Sequence, residues 1–404
     1  MKTILVSLIL LFSSDVLSQT IDQYMTNALK KYKQGYYEDA ITDYMKVIEI
    51  DPKNAHAYVS MAFVKSRIGD YEDAIADWDK AIEIEPDIAD NYFNRGYAKY
   101  YIEDYKGALI DFTKAIELKP KDINLYSFRA LAKEELADYK AAIADWTKII
   151  ELDPQNATNY SSRAHVKNEL KNYREAIADW TKAIELDPKH SAYYSNRAIA
   201  KKKLKDYRGA IADWTKVIEL EPKKATHYFI RAMVKEELED YRGAIADWTK
   251  IIELEPDVSD NYYYRGFAKY SIEDYKGALI DFTKAIELNP ENIRAYSFRA
   301  MAKSNLEDYR GEIADWTKVI QIDSVNANNY FNRAQAKNKL ENYKGAIADW
   351  TKTIELNPKD TYNYVLRGLS KIKLGDKKEA CLDFNKAKDL GSDKASEFIR
   401  EHCN

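Results

Sequence analysis

Cysteine is nearly absent, with two residues in 404, Cys381 and Cys403, both near the end of the chain. That excludes a disulfide-dense scaffold and any cysteine-based zinc module. Only 13 glycines and 9 prolines punctuate the sequence, too few for several loop-rich domains or for a Gly-rich phosphate loop of a nucleotide-binding fold. Neither sign of charge dominates: 62 Lys and Arg face 66 Asp and Glu, so the basic excess of a nucleic-acid binder is missing. What remains is 46% hydrophobic and 32% charged residues, the balance of a folded, helical, soluble chain.

The one long apolar run covers residues 4–12, behind Met1 and Lys2 and ahead of a small-residue stretch ending Val16-Leu17-Ser18-Gln19. A charged start, a short apolar core and small residues before a cut describe a secretory signal peptide over 1–18. The run is too short to span a bilayer, so no membrane span is expected after cleavage. The mature chain is expected to be exported, either periplasmic or secreted.

Proline reveals the organisation. It falls at 52, 86, 120, 154, 188, 222, 256, 290 and 358, at a spacing of 34, with Ser324 in the one vacancy. A fixed period of this size marks a repeat architecture. Setting proline at place 32 divides residues 21–394 into eleven units. Place 4 is Tyr in all, place 8 Ala or Gly, place 20 Ala in ten, and place 24 Trp, Tyr or Phe. In unit 157–190, Tyr160, Ala164 and Leu170 mark a first helix; Ala176, Ile177, Trp180, Ala183 and Ile184 mark a second. Proline stops the second helix. Neither helix hides its apolar stripe alone, so the units must stack.

These residues resemble the tetratricopeptide repeat: Tyr at place 4, Ala or Gly at 8, Tyr at 17 (Tyr71, Tyr139, Tyr241), Ala at 20, an aromatic at 24 and Pro at 32. The resemblance covers nearly the whole mature chain. It implies an all-α fold, a right-handed α-solenoid of stacked antiparallel helix pairs, with first helices on the concave face. It also implies a non-catalytic scaffold or adaptor for protein or peptide partners.

A residue present in every unit is explained by stacking, whereas a ligand-specific residue is needed once. Asp at place 23 and Lys at place 11 occur in all units, and Arg at place 7 in nine, from Arg95 to Arg367. Place 7 is usually apolar in the family. A buried charge must be paired, so Arg at place 7 is expected to meet Asp at place 23. Unit nine departs from the pattern, with Glu312 at place 20 and Ser324 for proline, and a local perturbation or bend is expected there.

Catalysis finds no support. His56, His165, His190, His227 and His402 sit at unrelated places, so no metal site is expected. There is no Gly-x-Ser-x-Gly elbow, and the carboxylates follow the period. No cofactor is expected, and no nucleic acid.

By the resemblance, the groove is lined by places 2, 5, 9, 12 and 13. Those places give Phe63, then Phe93, Tyr97, Tyr100 and Tyr101, and later Phe229, Tyr263, Phe267 and Tyr270. Rigid rings give large contact area at small entropic cost, so they are the candidate binding residues. The family's carboxylate clamp, Lys at place 5 with Asn at 9, is absent, and glycan binding in envelope assembly is the alternative use of such rings. The stretch 90–130 recurs at 260–300, so five units look duplicated as a block. Gly391 is placed to end the last unit, with a capping helix over 395–404 whose apolar face carries Ala395, Phe398, Ile399 and Cys403. Cys381, at place 21, is expected to face Cys403 and form a disulfide.

Overall fold

The structure, a computed structural model, describes the backbone of residues 2–403 and the side chains of 17–403. The backbone of the leader expected over 1–18 belongs, from Lys2 on, to the helix Lys2–Lys33, and its side chains, but for the last two, lie outside the described residues. All regular structure is α-helical, with no strand among the described residues, and the chain divides into two compact units, 1–204 and 205–404. Each is a succession of antiparallel helix pairs.

One pair shows how the sequence sets the turns. Asp122 caps the helix Ile123–Glu135 by accepting from the Asn124 amide. Leu136 closes that helix, and Ala137 follows with a left-handed φ of +56°. Asp138 then caps the helix Tyr139–Leu152 by accepting from the Ala141 amide. The left-handed position, place 15, carries Gly at 35, 69 and 375, but Glu at 103, 239, 273, 307 and 341. A side chain there costs roughly 1–2 kcal/mol relative to glycine.

The helices pack through small residues against rings. Three units replace Ala by Gly at place 8, and the same three carry Phe at place 24. A Cβ on Gly96 would stand 2.9 Å from Phe112, and one on Gly266 2.8 Å from Phe282. Glycine therefore makes the room that the Phe ring occupies at this contact. In several units the Tyr at place 4 ties the turn before it: the Tyr126 hydroxyl donates to the Pro120 carbonyl at 3.1 Å, and Tyr228 to Pro222 at 3.1 Å. Tyr330 makes the same bond to Ser324 at 3.1 Å, so this tie uses only the backbone carbonyl and survives the loss of the ring.

Arg at place 7 and Asp at place 23 meet as a fork. Arg163 donates from Nε and Nη2 to the two oxygens of Asp179 at 2.8 and 2.7 Å, and Lys167 adds a bond at 2.6 Å. The Arg163 Nη1 reaches back to Thr147 of the preceding pair at 3.1 Å. The same set recurs around Asp145, Asp247 and Asp315. Each guanidinium also lies over the Tyr at place 4, from 5.4 Å for Arg299 on Tyr296 to 5.9 Å for Arg163 on Tyr160. Where Met61 replaces the arginine, burial pushes the Asp77 carboxyl above the usual carboxylate range, with Lys65 opposing.

The bend expected at Glu312 is not present as a helix defect. The helix Tyr309–Ile322 has the 14 residues of its counterparts, and Glu312 is buried within it. Its Oε2 has no hydrogen-bond partner. Burial raises the Glu312 pKa, while Ser304, Lys339 and Trp316 pull it down. The misfit is therefore electrostatic, because regular packing around the flanking turns holds the backbone.

At the C-terminal end, Gly391 adopts φ +96° and the helix Asp393–His402 follows. Ala395 is buried, and Phe398 stacks on Phe384 at 5.5 Å. Cys381 and Cys403 are joined, their Cα atoms 5.7 Å apart.

Two stability outcomes follow. Asp179→Ala strands Arg163 and Lys167 and lowers unfolding stability by about 3–5 kcal/mol, whereas Lys182→Ala, which removes an exposed pair with Glu185, leaves the midpoint unchanged; equal shifts in chemical denaturation would refute the role of the fork. Glu312→Ala raises stability at pH 7–8 by about 1–3 kcal/mol, the scale of an unsatisfied buried group. The folded pKa of Glu312 is raised, so the wild-type penalty is full above that pKa and vanishes as pH falls into the ordinary carboxylate range. The advantage of the variant must therefore shrink on acidification, and a pH-independent advantage contradicts this account.

Candidate binding face

Among first helices, places 5, 9, 12 and 13 fall on one side because they repeat at helical spacing. In residues 1–204 that side carries a connected set of rings. Phe93 packs edge-on to Phe128 at 5.3 Å, and Tyr97 to the same ring at 5.4 Å. Tyr97 lies 4.7 Å from Tyr101, which stacks on Tyr71 at 5.3 Å. Tyr100 meets Tyr105 at 5.3 Å. The Tyr97 hydroxyl donates to that of Tyr101 at 3.0 Å; this bond, with burial, pushes the Tyr97 pKa up to about 12.

Phe63 and Tyr101 are the most open of these rings, about half exposed. Phe63 and Phe93 line opposite sides of a cavity of about 430 Å³ between the helices Ala55–Ile68 and Ala89–Tyr101. Val59 and Ile88 add apolar wall, and His56, Glu85, Asp90, Asn91 and Asn94 complete the lining. The cavity thus combines apolar surface with several polar groups, the make-up of a side-chain pocket.

In residues 205–404 the second set is more closed. Phe229 stands edge-on to Trp248 at 5.4 Å, and Phe267 to Phe298 at 5.3 Å. Tyr270 meets Phe298 and Tyr275. Tyr263 departs from its expected role. It is 7% exposed, and the Arg294 guanidinium lies 4.8 Å above its ring, so it packs between helices instead of facing a partner. Arg294 comes from the next unit, and place 5 alone does not announce that cover.

Three rings central to these sets were missed by the groove places: Phe128 and Phe298, both at place 6, and Tyr264, which stacks on Trp248 at 4.8 Å. Their signal was available, since most other units carry a small or polar residue at place 6. Of the histidines, His56 lines the 430 Å³ cavity, His190 stacks on Tyr193 at 4.3 Å, and His402 lies over Phe398 in the C-terminal helix. Among the described residues no helix is long and apolar enough to cross a membrane.

Comparison with known proteins agrees with the geometry. A family model described as TPR repeat matches residues 28–69 and 67–101, and one described as Tetratricopeptide repeat matches 89–122, 123–156 and 157–190. No curated protein matches the chain. Among solved structures, the chain is similar to MamA protein at 26% identity over 44% of this chain and 96% of that one, with a TM-score of 0.41. It is similar to YrrB, described as a TPR protein with an unusual peptide-binding site, at 23% identity over 44% and 92%, TM-score 0.40. A tetratricopeptide repeat protein from Parabacteroides merdae shares 22% identity over 61% and 99%, TM-score 0.41.

Exposure on this face is open to direct measurement. Tetranitromethane should nitrate Tyr101 and spare Tyr263 in the folded chain, and Arg294→Ala should make Tyr263 reactive, as read by peptide mass mapping. Nitration of Tyr263 in the wild type would show that the arginine cover does not hold in solution.

Proposed function

The chain is a tandem tetratricopeptide-repeat protein, and from that premise we propose that it is a non-catalytic, exported scaffold that binds protein segments along the aromatic face of its first helices. The observation that carries this reading is the cavity between Phe63 and Phe93, on the helix whose C-terminal end carries the open Tyr101 ring. A soluble chain gains nothing in stability by leaving large rings half exposed; covering them with a partner's apolar side chain removes that surface from water. The site is sized for one or two side chains, which suits an extended or helical segment. The paired cysteines fit export, since such bonds persist in oxidising compartments.

Two measurements test the proposal. The native extracellular or periplasmic chain should have the intact mass of residues 19–404 less two hydrogens; a mass that retains residues 1–18 argues against export. Capture of partners by the purified chain from the same fraction should fall by about tenfold or more when Phe63 and Tyr101 are both replaced by Ser, with helicity unchanged. Undiminished capture removes this face from the reading. Capture that survives protease treatment of the bound material would instead identify a glycan ligand.

A further inference from the structure

Two helix pairs contain the same tryptophan–glutamate bond, from second helix to first, in two different settings. Trp146 Nε1 donates to Glu134 Oε1 at 2.8 Å, and Trp248 Nε1 to Glu236 Oε1 at 2.7 Å. Both carboxyls are held above the usual carboxylate range by burial, against the tryptophan bond that lowers them. Around Glu236 the chain closes the site with its own rings. Tyr264 lies flat on the Trp248 indole at 4.8 Å with an interplanar angle of 11°, while Tyr263 and Phe298 meet edge-on at 5.8 Å beside it.

Three units earlier, the matching residues are Ser161, Ser162, His165 and Asn196 instead of Tyr263, Tyr264, Phe267 and Phe298. The loss of those rings leaves a cavity of about 260 Å³ lined by these four side chains, Glu134 and Trp146. Among the described residues, none of the four makes a side-chain hydrogen bond to the protein; Glu134 has no lysine or arginine partner, and the one cationic form facing it is that of His165, which lowers its pKa. These four side chains are half-buried to exposed and Trp146 shows 7% of its surface, so the hollow is a solvent-open recess at the edge of the indole, and its polar groups can exchange water for a ligand.

We propose that this cavity receives the guanidinium of an arginine side chain from a bound protein segment, stacked on Trp146 where Tyr264 lies on Trp248 and charged toward Glu134. Arginine meets each feature at once. Its planar head stacks on an indole, its N–H donors fit the serine hydroxyls and the Asn196 carbonyl, and its charge neutralises the carboxylate. A lysine ammonium brings the charge without the plane, and an aromatic ring brings the plane without the charge. The chain already uses this chemistry on itself, where Arg294 lies over Tyr263 and Tyr264 at 4.8 and 5.8 Å.

The inference rests on the groove reading above and deepens it, and one experiment separates the two. The full chain is applied to an array of random 12-residue peptides. Arginine should be enriched among bound peptides, and exchange of that arginine for lysine or for uncharged citrulline should weaken binding about tenfold. Ser162→Tyr, which installs the ring found at Tyr264, and Glu134→Gln should each abolish the arginine preference while other peptides still bind and the thermal midpoint does not fall. Peptide binding without arginine preference, or a preference that survives Glu134→Gln, overturns the arginine pocket and leaves the groove reading intact. Absence of all peptide binding overturns both.

Discussion

A carboxylate buried between two helices, clasped by a guanidinium fork and an ammonium, is the interaction on which most of the helix pairs depend. Asp145, Asp179, Asp247 and Asp315 are all buried, and an isolated charge in that position would be strongly unfavourable. The arginine answers it with two aligned bonds and then spends its remaining nitrogen on the threonine of the preceding pair. One side chain thus closes a unit, joins it to its neighbour and covers the tyrosine that fixes the junction. Packing of Ala and Gly against Trp and Phe sets the spacing of the helices, but the fork sets their register, because its geometry tolerates little sliding.

Once register is supplied from inside each pair, the outward side of the first helices is released from structural duty. Rings there can be varied without disturbing the stack. The two halves show the range: Tyr97 and Tyr101 hydrogen-bond to each other on an open face, while at the matching places Phe267 packs on Phe298 and Ser271 bonds its own helix. The Trp–Glu bond shows the same freedom, filled by tyrosine in one setting and left hollow in the other.

Much of this was legible in sequence. The 34-residue period gave the helix pairs, and the recurrence of Arg at place 7 in nine units beside Asp at place 23 gave the fork, since two buried opposite charges have few alternatives. Gly391 gave the end of the last pair. Other features were hidden for physical reasons. Glu, Ala and Lys at place 15 do not advertise a left-handed backbone, which here is imposed by the two capped helices on either side. Glu312 signalled stress correctly, yet the backbone stayed regular, because tightly packed helices shift a mismatch into ionisation rather than into shape. Tyr263 was read as a groove residue because its cover, Arg294, is 31 residues away and lies on a different helix.

The bonds that join neighbouring units have fixed spans along the chain: 16 residues from arginine to aspartate, 16 to the threonine behind, and 6 from tyrosine to the turn carbonyl. Each span is the same wherever the unit stands. A recombination that inserts or deletes a whole number of 34-residue blocks therefore rejoins every donor to an acceptor of the same kind, whereas a break at any other length leaves a guanidinium facing no carboxylate. The identical segments at 102–118 and 272–288 stand five such blocks apart, as an in-frame exchange requires. Growth in these quanta adds one more first helix to the row without rewriting the core.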